Sequence, residues 1–369
     1  MIKNSKHFIF SMMLLILFYS LASPVQAEAG YNLVKSYAPQ ETAVFIDGTI
    51  RILEQKTYLA DDGNLYVPVK LLNNLQNIKV NYDKGIVVNS SKGNFIIDKT
   101  NSLIYKNITY IKLKSFLVIT GYSAKHVADG FSVFIWSDSQ GYEKSLKIIN
   151  NLKASPSGVR SYLGTKVFLY KSNKVGWIVN VRYSNFGLTY VNIFLKNGDI
   201  VEESIFENEP SSFCTYDQYE LIKTGFHGKY YWANSNKLPS SSPLHNIEKV
   251  YFNSLDLKND NLVIKLTRTN GDHATIDIPL HGFPSSDIYN GFYSQNPKLI
   301  HPGWSQRVWD IIAMHHVAIG MTEEQVLMSW GNPGSRTDYN SSSSSAAQWV
   351  YDHDILFFYN GLLDSVTSY

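Results

Sequence analysis

A heptapeptide in the first third of the chain is echoed later, and the echo limits the possible folds more than any single motif does. Tyr66-Val67-Pro68-Val69-Lys70-Leu71-Leu72 returns as Tyr110-Ile111-Lys112-Leu113-Lys114-Ser115-Phe116. Each copy reads as a strand running into a short helix. Each helix ends at a turn, Asn77 in the first copy and Gly121-Tyr122 in the second. A strand pair follows each: 80–82 with 86–89, and 124–128 with 131–136. Asp83-Lys84-Gly85 and Asp129-Gly130 punctuate the two hairpins. One such unit alone leaves an apolar face open, whereas two copies can bury their helices on shared strands. The expectation is a small domain over 39–137.

Further residues strengthen this reading. Val44-Phe45-Ile46-Asp47-Gly48, the first heptapeptide, Val80-Asn81-Tyr82-Asp83 and the closing Phe134-Ile135-Trp136 together resemble the copper amine oxidase N-terminal-like domain. The resemblance implies a stalk module, common in exported proteins of Gram-positive bacteria, that binds no copper itself. Asn74-Leu75-Gln76-Asn77 departs from it where many members carry a Gly-Ala-type helix stop. Asn81-Tyr82-Asp83 matches the short tyrosine motif from which true amine oxidases make their quinone. That chemistry also needs copper histidines, two of them one residue apart, and no His-x-His occurs in this chain. Tyr82 therefore reads as a strand residue before a turn, and no cofactor is expected.

Ahead of this domain, Lys3 and Lys6 precede an apolar run from Phe8 to Leu21, and Ser23-Pro24-Val25-Gln26-Ala27 places small residues before Glu28. This is the pattern of a secretory signal peptide over 1–27, cleaved after Ala27, and too short for a comfortable membrane span. The expected product is secreted, extracellular or cell-wall associated, without an integral span. Its roughly 340 residues suggest two or three domains. The formal charge of +2 falls to about zero without Lys3 and Lys6, so nothing draws the protein to nucleic acid or an anionic membrane. Cys214 is the single cysteine, which excludes an intramolecular disulfide. The fold must rely on apolar burial, for which 44% hydrophobic residues suffice. Abundant Lys, Asn, Ile and Tyr, with no lipid-carrying cysteine near the start, suggest a Gram-positive source.

The middle region, 142–300, reads as β-rich. A short helix over 145–152 leads in, and Val-, Ile- and aromatic-rich strands follow at 165–170, 176–183, 188–195 and 200–205. A meander follows at 249–257, 262–267 and 274–280, turning at Lys258-Asn259-Asp260-Asn261 and Asn270-Gly271-Asp272. Between these sets, 207–243 reads as loop-rich and aromatic. The expectation is a β-sandwich or open sheet.

The tail, 301–369, has sharper signals. Thr322 and Gln325 form a capping box, Glu323 and Glu324 favour the helix start, and Gly331 with Pro333 ends it. Val326, Leu327 and Trp330 are the expected apolar side. An upstream helix over 304–316 turns Val308, Trp309, Ile312 and Ala313 inward. Three strands follow, at 348–351, 355–359 and 362–366, the last two joined by Asn360-Gly361. Gly320-Met321-Thr322, Val326, Gly331-Asn332-Pro333, Trp349-Val350-Tyr351 and Asn360-Gly361 resemble the SmpA/OmlA-like domain, a small module of outer-membrane assembly lipoproteins. The resemblance implies two helices on a three-stranded antiparallel sheet and a partner-holding, non-enzymatic role. The missing lipid-carrying cysteine detaches it from the outer-membrane setting. The chain as a whole reads as α+β.

Chemistry is sparse in the sequence. No Gly-x-Ser-x-Gly, Ser-x-x-Lys, His-Glu-x-x-His or phosphate-binding glycine loop occurs. Adjacent His315 and His316 would point about 100° apart on a helix, a poor chelate; His315 could instead cap helix carbonyls. His227, His245, His273, His281, His301 and His353 lack ligand spacing, so no metal is expected. The remaining signal is aromatic: Tyr230, Tyr231 and Trp232 in one cluster, and Tyr289, Phe292 and Tyr293 in another. In an exported protein such residues can form a platform for a glycan or a partner protein, as well as ordinary core. The expected function is therefore a non-catalytic cell-envelope protein binding a partner protein or cell-wall polymer. The alternative is a cell-wall or glycan hydrolase in the middle region, drawing on Asp217, Glu220, Asp256, Asp260 or Asp287, which nothing in the sequence pairs.

Overall fold

The computed structural model describes residues 41–369 apart from 54, 61–62, 84, 185, 207–208, 211, 281–282 and 341–344. The leader with its cleavage site at Ala27, Lys84 of the first hairpin turn, His281 and most of the serine run 341–345 lie outside the described residues. The described chain mixes helices with several antiparallel sheets, an α+β architecture. It divides into two compact units, one reaching Thr165 and including Ile178–Gly187, the other comprising Lys166–Trp177 and Leu188–Tyr369.

The first unit contains β1 (Glu41–Ile46), β2 (Thr49–Arg51), β3 (Thr57–Leu59), β4 (Leu65–Pro68), β5 (Lys79–Asn81), β6 (Ile86–Ser90), β7 (Gly93–Ile97), β8 (Ser102–Tyr105), β9 (Ile108–Lys112), α1 (Leu113–Thr120), β10 (Ser123–Val127), β11 (Ser132–Trp136), α2 (Ser139–Ala154) and α3 (Ser157–Arg160). The main sheet runs β10-β11-β1-β3-β4-β9-β8, with β2 paired to β1, and β5-β6-β7 form a separate sheet. The two copies of the heptapeptide meet here. β4 and β9 pair antiparallel, with Tyr66 opposite Lys112 and Pro68 opposite Tyr110. After β4 the first copy makes a 3-10 turn, Val69–Asn74. After β9 the second makes a true helix, closed by Gly121 at φ 73.

Alternation along these strands separates two clusters. Val67 and Ile111 join a core with Val44, Leu71, Phe116 and Ile135. Tyr66 and Tyr110 turn to the other side, where Tyr58, Leu103, Tyr105 and Ile108 pack against them. Asp47 and Gly48, both at positive φ, turn β1 into β2. The Asp47 carboxylate accepts the Ser137 amide at 2.8 Å. A Cβ on Gly48 would meet the Lys144 Cβ at 2.6 Å, so α2 lies directly over this turn. That packing is why α2 belongs to the first unit, whereas the sequence reading ended the domain at 137.

The second unit begins with β12 (Lys166–Leu169) and the first residues of β13 (Lys174–Tyr183), whose part from Ile178 on is counted in the first unit, and continues with β14 (Thr189–Leu195), β15 (Ile200–Phe206), β16 (Glu209–Pro210) and β17 (Phe213–Thr215), in a sheet ordered β16-β15-β14-β13-β12-β17. Then come α4 (Tyr216–Gly225), β18 (Tyr230–Ala233), β19 (Lys249–Lys258), β20 (Asn261–Arg268), β21 (His273–Pro279), α5 (Pro284–Gly291), β22 (Phe292–Tyr293) and α6 (Pro297–Ile300). Their sheet runs β21-β20-β19-β18-β22. Phe252, Leu255, Ile264, Leu266 and Ile276 of this sheet share one core with Ile222 of α4, Ile288 of α5 and Phe168 of β12. The stretch 207–243 is more regular than its loop-like composition suggests. Thr215 and Gln218 form a capping box for α4, a signal read in the tail but missed here.

The tail lies within the second unit: α7 (Gln306–Ala313), α8 (Glu323–Trp330), β23 (Ser335–Asn340), β24 (Ser345–Val350), β25 (Asp354–Tyr359) and β26 (Leu362–Ser368). Its sheet has four strands, β23-β24-β25-β26, where the sequence reading expected three. The additional edge strand, Ser-Arg-Thr-Asp-Tyr-Asn, is polar and carries no period-two apolar signal. The capping box of Thr322 and Gln325 is formed. The buried side of α8 is rotated from the expected one. Gln325, Val326 and Ser329 are buried, while Leu327 and Trp330 are only partly covered. Polar anchoring explains the rotation: the Ser329 hydroxyl donates to the His316 carbonyl.

A strap from the β-rich region plugs into this tail. Ile247, at φ 54, is a β-branched residue in the left-handed region, a costly conformation that its surroundings must hold. Its side chain joins Trp309, Ile312, Val326 and Trp349 in the tail core. Its amide donates to the Ala233 carbonyl at 2.8 Å. Beside it, buried Asn246 donates to the carbonyls of Met328 at 2.7 Å and Ile312 at 3.4 Å. Its side-chain oxygen Oδ1 accepts the Ser235 amide at 3.2 Å.

Candidate functional site

The two aromatic clusters named from sequence converge on one sheet. β18 lies between β19 and β22, with Trp232 opposite Lys249 on one side and Tyr293 on the other. Tyr230 faces Tyr251 across the same pairing. Period-two alternation then sorts the residues. Tyr230 is 54% exposed and Trp232 is half-buried, while Tyr231 and Phe292 are 5% and 1% exposed. Tyr231 and Phe292 are thus core residues and not part of a binding surface. Tyr231 stacks on Phe252 at 4.3 Å, and Phe292 meets Phe252 edge-on at 4.8 Å. Tyr293 is half-buried and packs against the tail core. Tyr289, exposed, sits on α5 with its ring against Phe226 at 5.5 Å.

The outward face is completed by residues that the sequence reading did not single out. The Lys249 ammonium lies 4.1 Å from the centre of the Tyr230 ring and 5.9 Å from that of Trp232. Tyr230 and Tyr251 meet edge-on at 5.1 Å. Tyr251 stands opposite Thr267, and Thr267 opposite His273. Asn253 donates to the Thr267 hydroxyl at 2.7 Å, and that hydroxyl lies 3.1 Å from Nδ1 of His273. The signal for Lys249 and Tyr251 was present, since both occupy alternate positions of a strand read as 249–257. What the sequence lacked was the order of strands, which alone brings them beside Tyr230 and Trp232. Rings, an ammonium, an amide and a hydroxyl in one exposed array suit stacking and hydrogen bonding to a polyhydroxylated ligand.

The acids named for a hydrolase are placed differently. Asp256 lies near α4, its Oδ1 3.4 Å from the Tyr219 hydroxyl and 3.0 Å from the Leu257 amide. The Tyr219 hydroxyl is also 3.4 Å from the Lys223 ammonium. Asp217 and Glu220 ride on α4, Asp260 occupies the β19–β20 turn at φ 62, and Asp287 is on α5. Asp256 thus meets a phenol and an amide, and together with Glu220 it also acts on the Lys223 ammonium.

Cys214 is buried, and burial pushes its thiol up to about 12, so it is not held as a reactive thiolate. His315 follows α7 at φ 61, and its Nε2 lies 2.6 Å from the Asn236 side-chain oxygen. Burial holds its pKa below the usual imidazole value. Tyr82 is half-exposed, its hydroxyl accepting from Asn73 at 3.1 Å. Among the described residues no group of three or more His, Cys, Asp or Glu side chains is arranged to hold a metal ion, and no helix is long and apolar enough to cross a membrane.

Two cavities flank the tail. One of about 340 Å³ is lined by His245, Asn246, Ile247, Glu248, Lys298, Ala313 and Met314. The other, about 230 Å³, lies among Glu323, Arg336, Asp338 and Ala347, where Arg336 pairs with both acids at 3.0 and 2.8 Å. No protein-family model matches the chain, and no curated protein and no solved structure is significantly similar to it.

Proposed function

We propose that this is a non-catalytic, exported cell-envelope protein that binds a cell-wall polymer or partner protein through the outer face of the β18–β19 sheet. The observation that carries the reading is the strand register. It gathers Tyr230, Trp232, Lys249 and Tyr251 on one solvent-facing surface from segments separate in sequence. The signal-peptide pattern at 1–27 supports export. The resemblances of the N-terminal repeat to a stalk module and of the tail to a partner-holding module support a binding role. The test is a pull-down with the purified protein against its own envelope fraction, split into insoluble polymer and solubilised proteins. Wild-type protein should be retained on one fraction, and Tyr230→Ala with Trp232→Ala should abolish retention. Retention unaffected by that double variant would place the binding surface elsewhere.

A further inference from the structure

We infer that the ligand of this face is a polysaccharide bearing an anion on its repeating unit; the inference rests on the binding face proposed above. The register defines the surface row by row. Trp232 and Lys249 form the first row, bounded beyond Trp232 by Tyr293 where it packs against the tail, and Tyr230, Tyr251, Thr267 and His273 form the second. After Asn253 and the bulge that follows Phe252 come Ser254, Lys265 and Thr275. These rows hold two lysines and a histidine and no carboxylate. Acids enter only in the next row, as Asp256 and Asp277 beside Val263. The acid adjacent in sequence, Glu248, is committed elsewhere. It receives Arg268 through Nε at 2.7 Å and Nη2 at 3.0 Å, with both side chains largely buried. Among the described residues the neighbours of the Lys249 ammonium are ring faces and not a counter-ion.

That geometry discriminates between sugars. A neutral sugar stacks on a bare ring, and here the Tyr230 ring already carries an ammonium. A sugar with a carboxylate or phosphate keeps that ammonium in place, pairing its anion with Lys249 while its C–H face lies on the neighbouring rings. Lys249 and Lys265 are separated by about five strand positions, on the order of 15 Å. One small anion cannot reach both, whereas a polymer charged at each repeat can. Thr267, Asn253 and His273 lie between them and supply hydroxyl-directed hydrogen bonds.

The test is affinity electrophoresis of the whole protein through gels containing polygalacturonate, phosphomannan, dextran or polyphosphate, at low and high salt. Polygalacturonate or phosphomannan should retard the protein and dextran should not. The tighter of the two anionic glycans then identifies carboxylate or phosphodiester as the recognised anion. Retardation should weaken as salt rises. Lys249→Ala, Lys249→Gln and Trp232→Ala should each lower affinity about tenfold. A control at the β14–β15 turn, Lys196→Ala, should not. Equal or stronger binding to dextran, indifferent to Lys249→Ala, would overturn the anionic assignment while leaving the binding face intact. Polyphosphate matching the glycans and indifferent to Trp232→Ala would overturn it in favour of charge alone. Binding to none of the four, together with envelope retention that survives Tyr230→Ala with Trp232→Ala, would sink the face itself.

Discussion

Each unit carries a tyrosine-rich sheet face, and the two have opposite fates. In the first unit Tyr66 and Tyr110 are 3% and 2% exposed, with Tyr58 edge-on to Tyr110 at 5.9 Å and to Tyr105 at 5.8 Å. The rings close on one another and on Leu103 and Ile108. In the second unit Tyr230 is 54% exposed and meets one tyrosine and one lysine. Identical residue types at identical strand periodicity thus become a small core in one place and a surface in the other. The difference lies in the neighbouring strands. β3, β8 and β9 pack Tyr58, Leu103, Tyr105 and Ile108 against the buried tyrosines, whereas Tyr230 meets Tyr251 and the Lys249 ammonium of β19 and stays open to solvent.

The sharpest way to break this contrast is truncation. Tyr110→Ala should destabilise the protein by about 3–5 kcal/mol, the usual cost of emptying a buried aromatic site. Tyr230→Ala should stay within about 0.5 kcal/mol. Denaturant melts of both variants settle the matter, and equal losses would abolish the distinction. Next in size is Asn246→Ala. It removes one donor each from the Met328 and Ile312 carbonyls, which keep those of Asn236 and the His315 amide, and should cost about 0.5–1.5 kcal/mol in the second unit.

A pH experiment sharpens the comparison further. Burial pushes the Tyr110 hydroxyl up to about 12, and burial together with Glu41 also raises Tyr58. A phenol whose folded pKa is raised contributes its full stability below the unfolded value near 10, and loses it as pH climbs through the folded value. Stability should therefore fall between about pH 10 and 12. Tyr110→Phe should blunt that fall, as read by unfolding at fixed alkaline pH. An unchanged pH profile would mean that Tyr110 ionises as easily folded as unfolded. The smallest expected effect is Tyr230→Phe, which keeps the ring beneath Lys249 and should leave both melting and glycan affinity near wild type.

The elements were more legible than their assembly. Local signals such as the Thr322 capping box, Asn360-Gly361 and the alternation of 249–257 depend on neighbours in sequence, and they correspond to α8, the β25–β26 turn and β19. β23 escaped because an edge strand exposed to water needs no apolar alternation. Trp330 misled the reading of α8 because a large side chain can rest against a flank. Its ring meets Tyr351 edge-on at 5.3 Å, and its Nε1 donates to the His315 carbonyl at 2.8 Å, without entering the core. The candidate site was half legible. Tyr230 and Trp232 could be named, but their separation from Tyr231, and the arrival of Lys249 and Tyr251, are properties of strand order and register that no single segment encodes.

The strap at Asn246-Ile247 has a consequence for the order in which the protein can be made. Its plug emerges from the ribosome well before the pocket that receives it, because Trp309, Val326 and Trp349 follow later in the chain. Until then the hydrogen bond from its amide to Ala233 is its anchor, and the apolar side chain lacks the cover of the tail core. The second unit therefore completes its packing only once its last strands are available. A chain stopped short of β24 would leave the strap as an exposed, sticky loop and not merely shorten the protein, which makes the final residues a checkpoint on the integrity of the half that precedes them.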